Sequence, residues 1–104
     1  MSLQLNERIW EIMDAARYAY RWYGKVPRIT SANDGKHMDG SLHYKDLALD
    51  FRTGHHWKKP WLTLAQVQQI AVLMRQSLGP EYDVVVENDH VHVEHNPKGG
   101  ERHA

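Results

Sequence analysis

Histidines and carboxylates in two separated segments have the spacing of a divided metal site. His43 and Asp50 are seven positions apart in SLHYKDLALD, and Asp89, His90 and His92 follow in the distant segment ENDHVH. A histidine and an aspartate from one element, completed by a histidine from another, supply the three protein ligands of a catalytic zinc and leave its fourth position for water. An acid beside the third ligand can accept a proton from that water. The residues therefore predict a zinc site suited to hydrolysis.

The composition limits which residues and partners such a site can have. The chain of 104 residues contains no cysteine, so any metal must be held by histidine, aspartate or glutamate. Its 13 basic residues balance 13 acidic ones, which leaves no long-range field to attract a phosphate backbone or an anionic lipid. We therefore expect no nucleic-acid partner.

The first residues and the apolar segments indicate where in the cell the protein is expected. The start MSLQLNER lacks a basic stretch followed by an apolar run, and no segment has the length needed to span a bilayer. We expect a monomer without membrane insertion that is synthesised in the cytoplasm without a signal peptide.

Apolar periodicity predicts two main helices. From Leu5 to Tyr23 the apolar residues recur at helical spacing, and Gly24 offers a C-terminal stop. The second helix starts at the sequence Thr63-Leu64-Ala65-Gln66, which has the form of a capping box, and ends before Gly79-Pro80.

The remaining segments predict a small sheet. A short extended segment is expected at 27–30, followed by a loop at 31–40, a strand at 47–52, a loop at 53–61, and strands at 82–86 and from 90 onward. Asp50 alternates with apolar neighbours and should project away from them. The fold class is α+β, with a small, mainly antiparallel sheet packed against two main helices. We expect a single zinc peptidase-like domain over residues 1–96 and a flexible tail over 97–104.

His90 and His92 should point to the same side of their strand while Val91 and Val93 are buried. Alternating histidines more often occur as ordinary residues of a polar strand face. The spacing of this pair alone therefore does not indicate a metal site. The pattern of the whole sequence is needed for that interpretation.

That whole pattern resembles the hedgehog/DD-peptidase superfamily. The matching residues are Ser41-Leu42-His43-Tyr44 with Ala48-Leu49-Asp50, and Asp89-His90-Val91-His92 well downstream. The superfamily signature is a Ser-x-His motif with an aspartate seven positions after the histidine, then an acid closely followed by histidine. The resemblance runs from about residue 29 to residue 94 and implies a hedgehog/DD-peptidase-like fold.

The resemblance also implies a role for each matching residue. His43, Asp50 and His92 match the three zinc ligands, Asp89 matches the general base, and His90 matches an auxiliary histidine of the site. A second alignment stays open, in which Glu87-x-x-His90 supplies the base and the ligand instead.

By resemblance the activity is that of a zinc metallopeptidase acting on bacterial peptidoglycan. The family contains DD-carboxypeptidases and L-alanyl-D-glutamate endopeptidases, and both types stay open here. Carboxypeptidase members hold the substrate's terminal carboxylate with an arginine. This chain has an acid, Asp34, at about that position, which favours an endopeptidase. The candidate substrate-binding residues are Lys36, His37, Ser41 and Arg52.

A phage or prophage origin would explain how a peptidase without a signal peptide reaches the cell wall. Phage lysis enzymes of the endolysin type are released through holes in the inner membrane or travel in the virion. The alternative is a non-catalytic zinc-stabilised binding or structural module of the same fold, such as a virion component, because hedgehog domains keep the zinc site while acting in signalling.

Overall fold

The described part of the chain forms two helices and a four-stranded sheet. The computed structural model describes residues 3–33 and 47–96, with side chains described over 7–32 and 47–96. The elements in chain order are α1 (Leu3–Arg21), β1 (Ile29–Asn33), β2 (Ala48–Arg52), α2 (Leu64–Leu78), β3 (Tyr82–Val86) and β4 (His90–His95). The predicted α+β class with a small antiparallel sheet is confirmed. No helix in these two ranges is long and apolar enough to cross a membrane.

The sheet has the strand order β1-β2-β4-β3, and every neighbouring pair is antiparallel. Strands β2 and β4 are therefore central, although a helix and a third strand separate them in the chain. Their register places Asp50 opposite His92 and Phe51 opposite Val91. The two segments that carry the predicted site are thus adjacent strands.

One face of the sheet packs against both helices. Leu49 and Phe51 of β2 and Val91 and Val93 of β4 are at most 3% exposed, so the apolar residues of both strands enter one core. The residues that alternate with them form the opposite side of the sheet, which we call the outer face: Asp50, Arg52, His90, His92 and Glu94. All five remain partly accessible to solvent.

Helix α1 packs against α2. Three of its small residues, Ala15, Ala16 and Ala19, are buried in the core. Near the C-terminal end of α1, the Tyr20 hydroxyl donates a 2.8 Å hydrogen bond to the Arg52 carbonyl. This hydrogen bond connects α1 to the last residue of β2, which belongs to the outer face.

The predicted capping box of α2 is confirmed. The Gln66 backbone N–H donates to Thr63 Oγ1 at 3.2 Å, and the Thr63 N–H donates to Gln66 Oε1 at 2.9 Å. At the other end, Gly79 adopts φ +86°, a conformation that favours glycine, and its N–H donates to the Arg75 carbonyl. Local sequence therefore sets both ends of this helix.

One expectation about the polar segments was wrong. Ser31 to Asn33 belong to β1 and not to a loop, because they pair with Asp50, Leu49 and Ala48. Pairing with a neighbouring strand outweighs the turn-forming tendency of this short polar run. At the end of β4, His95 is only 3% exposed.

The buried His95 is held in its neutral form. Its Nε2 accepts a 3.0 Å hydrogen bond from Arg8 Nε, so the ring proton lies on Nδ1, which is buried without a hydrogen-bond partner. Burial and the positive charge of Arg8 lower the pKa of His95, while the nearby carboxylates of Glu81 and Glu11 oppose this effect.

This environment predicts a loss of stability on the acid side. Because the pKa of His95 is lower in the folded state, its contribution is fully present above the unfolded value of about 6.5 and is lost as the pH falls through the folded pKa. Urea unfolding in excess chelator at about pH 7 and about pH 5 should therefore show a smaller pH dependence for His95→Gln than for wild type. An equal pH dependence in the two proteins would contradict this account.

Candidate metal centre

The outer face brings together three of the predicted site residues. Asp50 lies in the middle of β2, and His90 and His92 lie on β4 directly beside it. The strand alternation that buries Val91 and Val93 turns both imidazoles to the same side as the Asp50 carboxylate. Four other predicted residues lie outside the described ranges: Lys36, His37, Ser41 and His43.

The Asp50 carboxylate faces both imidazoles. Its Oδ1 lies 2.7 Å from His92 Nδ1, which is a hydrogen bond, and its Oδ2 lies 3.7 Å from His90 Nε2. The three side chains are 22%, 31% and 27% exposed for Asp50, His92 and His90, so they are shielded from bulk water but open to an ion. The arrangement presents nitrogen and carboxylate oxygen donors at one point.

His92 has a second carboxylate on its other nitrogen. Glu94 Oε1 lies 3.1 Å from His92 Nε2, two residues further along the same strand face. Glu94 is not among the residues predicted above, although its position in His92-x-Glu94 places it on the same side of the strand. His92 is thus a single imidazole between two carboxylates.

The two carboxylates raise the pKa of His92. Burial by itself lowers it, but the hydrogen bonds and charges of Glu94 and Asp50 together outweigh burial. The site therefore favours a positive charge on the imidazole. The same negative surroundings favour a metal cation in place of the proton.

Asp89 lies at the tip of the turn that joins β3 to β4. This turn is closed by a 2.8 Å hydrogen bond from the Glu87 N–H to the His90 carbonyl. Asp89 Oδ1 lies 2.7 Å from His90 Nδ1, and its side chain is 60% exposed. The hydrogen bond with His90 lowers the pKa of Asp89, against a smaller opposing effect of burial, so the carboxylate is ionised at neutral pH.

Arg52 is the described member of the predicted substrate-binding set. It pairs with His90 across the β2–β4 ladder, at the end of the outer face nearest the 87–90 turn. Its backbone is fixed on both sides, since its N–H donates to the Arg28 carbonyl and its carbonyl accepts from Tyr20. The backbone of Arg52 is therefore fixed beside His90 on the outer face.

The described ranges alone contain no group of three or more histidine, aspartate or glutamate residues placed to hold a metal ion. The predicted third ligand, His43, lies outside them. The donors that are described suit zinc in type, because zinc binds imidazole nitrogen and carboxylate oxygen. Glu94 also matches the carboxylate that commonly accepts a hydrogen bond from the second nitrogen of a metal-bound histidine.

Comparison with known proteins gives no further guide to the site. No protein-family model, curated protein or solved structure matches the chain. The resemblance to the hedgehog/DD-peptidase superfamily therefore remains an expectation from the motifs.

Because His92 lies between two carboxylates, its pKa in the metal-free protein should depend on both of them. Glu94→Gln should lower the pKa of His92 because it removes one of the two negative partners. NMR titration of the His92 ring in chelator measures this directly. In wild type, the matching contribution to the free energy of unfolding is present below about pH 6.5 and is lost as the pH rises through the folded pKa.

Glu81→Gln is the matched control for this titration. It removes a carboxylate that lies 3.7 Å from His95 Nε2 and not beside His92. The His92 titration should therefore be the same as in wild type. A His92 pKa that does not respond to Glu94→Gln would show that the hydrogen bond between the two side chains is not formed in solution.

Proposed function

We propose that this protein is a zinc-dependent peptidase with a hedgehog/DD-peptidase-like fold, which hydrolyses peptide bonds in the stem or cross-bridge peptides of bacterial peptidoglycan. The observation that carries the proposal is the placement of His92 between Asp50 and Glu94, with His90 facing the same Asp50 carboxylate. Two strands distant in the sequence thereby present an imidazole and a carboxylate side by side, as the motif requires.

The ligand set proposed is His43, Asp50 and His92. Glu94 would accept a hydrogen bond from His92 Nε2 and so leave the Nδ1 lone pair, beside Asp50 Oδ1, free for a metal. The direct contact between Asp50 and His92 supports this assignment over the alternative with His90 as ligand, because His90 Nε2 lies 3.7 Å from the same carboxylate. A bound zinc would supply an acidified water and polarise the scissile carbonyl.

The chain's own groups would handle the proton and the developing charge. Asp89 is ionised and exposed, so it can accept a proton from the attacking water. His90 Nδ1 donates to the Asp89 carboxylate, so its Nε2, which faces Asp50, would donate to a developing oxyanion with the ring in its doubly protonated form. Arg52, beside His90, is a cation for a carboxylate of the substrate.

The proposed setting is a phage or prophage, with the protein acting as a monomer on the cell wall after release or as part of a virion. Mass spectrometry of digested peptidoglycan identifies the bond cleaved. Release of single terminal D-alanine residues would indicate a carboxypeptidase, and cleavage between L-alanine and D-glutamate an endopeptidase.

Zinc binding tests the ligand set. Protein purified without a histidine tag should contain about one zinc per chain by elemental analysis. His92→Ala and Asp50→Ala should each weaken zinc binding by more than the roughly 10–100-fold typical of an outer partner, whereas Glu94→Gln should fall within that range. Asp14→Asn, on the exposed side of α1, is the control that should bind zinc as wild type does. Wild type without zinc affinity would overturn the proposal.

Hydrolysis tests the role of Asp89. Asp89→Asn should retain zinc but release new amino groups from purified peptidoglycan at least about 100-fold more slowly, because it removes the proton acceptor. Asp14→Asn, an exposed aspartate on α1, should keep wild-type activity. If wild type binds zinc, releases no amino groups, and loses mainly thermal stability when zinc is removed, the protein is the structural module instead.

A further inference from the structure

The outward side of α1 carries large aromatic and basic side chains. Trp10, Arg17, Tyr18 and Arg21 are exposed and lie on one side of the helix, because their spacing is close to whole turns. The residues of α1 on the opposite side are buried in the core: Ile12, Ala16 and Ala19. An exposed apolar patch with charged residues around it is typical of an interaction site.

The end of α1 turns the chain back beside this surface. Gly24 has φ +69°, its N–H donates to the Arg21 carbonyl at 3.0 Å, and the Lys25 N–H donates to the Tyr20 carbonyl at 3.2 Å. This pair of hydrogen bonds is a Schellman motif, in which glycine suits the left-handed backbone. Residues 25–27 consequently lie next to the last turns of the helix.

A groove lies between the helix and the segment that follows it. A depression of about 490 Å³ is lined by Tyr18 and Arg21 of the helix and by Val26 beyond it, and a second of about 330 Å³ is lined by Tyr18, Arg21 and Trp22. The two depressions adjoin at the residues they share, so the combined shape is elongated and suits a linear ligand. We call it the α1 groove: Arg17, Tyr18, Arg21, Trp22, Lys25 and Val26.

The α1 groove has an excess of positive charge. Arg17 is paired with the Asp14 carboxylate at 3.4 Å. In the described ranges, by contrast, neither Arg21 nor Lys25 has a carboxylate within ion-pair distance. The Lys25 ammonium lies instead over the Trp61 ring, 5.5 Å from its centroid. Two cations of the groove can therefore pair with carboxylates of a ligand.

The aromatic residues of the α1 groove are held in a defined arrangement. Trp22 is 64% exposed, and its ring meets the Tyr18 ring edge to face, with the centroids 6.4 Å apart. Rings that are already oriented lose less conformational entropy when a ligand binds. Tryptophan, tyrosine and arginine are also the residues that contribute most often to the binding energy of protein interfaces.

These properties favour a peptide ligand over a polyanion such as nucleic acid. The chain has no net charge, so it has no long-range field to attract a phosphate backbone, whose binding depends on many basic contacts. The exposed Trp22 and Val26 add apolar surface that the side chains of a peptide can cover.

We propose that the α1 groove is a docking site for an extended acidic segment of a partner protein. Carboxylates of this segment pair with Arg21 and Lys25, and an apolar side chain between them packs against Trp22. Every second residue of an extended segment is about 6.6 Å further along, and Arg17 and Arg21 are about 6 Å apart along the helix axis, so alternate carboxylates match successive cations.

This docking site is separate from the candidate metal centre. Both helices cover the inner face of the sheet, whereas Asp50 and His92 lie on its outer face. The inference therefore goes beyond the proposed peptidase activity and does not require it.

Three synthetic ten-residue peptides test the chemistry of the partner. The first alternates glutamate with leucine, the second alternates lysine with leucine, and the third contains glutamate alone. NMR titration of the metal-free, isotope-labelled protein follows the backbone amides and the Trp22 indole N–H.

The glutamate–leucine peptide should shift the Arg21 and Lys25 amides and the Trp22 indole in a saturable way, while the amides of the outer face stay unchanged. Each control peptide should bind at least about 10-fold more weakly, because one lacks the negative charge and the other lacks the apolar contact.

Substitutions in the groove locate the binding. Arg21→Glu, Lys25→Glu and Trp22→Ala should each weaken binding of the glutamate–leucine peptide at least about 10-fold. Lys59→Glu, at an exposed lysine of the loop after β2, is the matched control, since it changes the net charge equally and should bind as wild type does. Arg21→Glu also disfavours the C-terminal end of α1, so Lys25→Glu and melting temperatures separate lost binding from lost folding.

Several results would overturn the proposal. These are no saturable shift at the groove with the glutamate–leucine peptide, or equal binding of either control peptide. Tighter binding of a single-stranded DNA oligonucleotide would assign the groove to nucleic acid instead, and groove shifts that depend on protein concentration alone would assign it to a second copy of this chain. Because zinc and peptidoglycan take no part in these titrations, this proposal and the proposed function fail separately.

Discussion

The pairing of β2 with β4 is the constraint on which the candidate site depends. The register sets Asp50 opposite His92 and Phe51 opposite Val91, so the polar and the apolar pairs are fixed by the same ladder. A shift by one residue would turn the carboxylate and the imidazoles into the core and the valines to solvent. The free energy of burying Phe51, Val91 and their neighbours therefore also holds the outer face in place.

The outer face concentrates negative charge around imidazoles without burying it deeply. Asp50 and Glu94 flank His92, and Asp89 contacts His90, yet each of these carboxylates keeps more than a fifth of its side chain exposed. The cost of removing these charges from water is therefore partial. These carboxylates and imidazoles could bind a cation on the outer face. This is the physical basis of the metal proposal.

The turn at residues 87–90 lies at the edge of the ladder, where strand pairing no longer fixes side chains. Its support comes instead from the loop after β2, through the hydrogen bond from the Thr53 N–H to the Asp89 carbonyl. Strand pairing therefore holds the proposed ligands Asp50 and His92, whereas hydrogen bonds of the turn hold the proposed base Asp89. A candidate catalytic group outside regular structure depends on such local hydrogen bonds for its position.

The sequence by itself determined the elements whose signals are local. The Thr63–Gln66 capping box, the alternation around Asp50, and the placement of His90 and His92 on one side of β4 all follow from spacing along a single segment. Tertiary structure alone decided the contacts between segments: the pairing of Ser31 in β1, the burial of His95, and the hydrogen bond from Thr53 to Asp89 in the turn. These depend on strand order and register, which arise from packing of residues far apart in the chain and leave no periodic mark in any one segment.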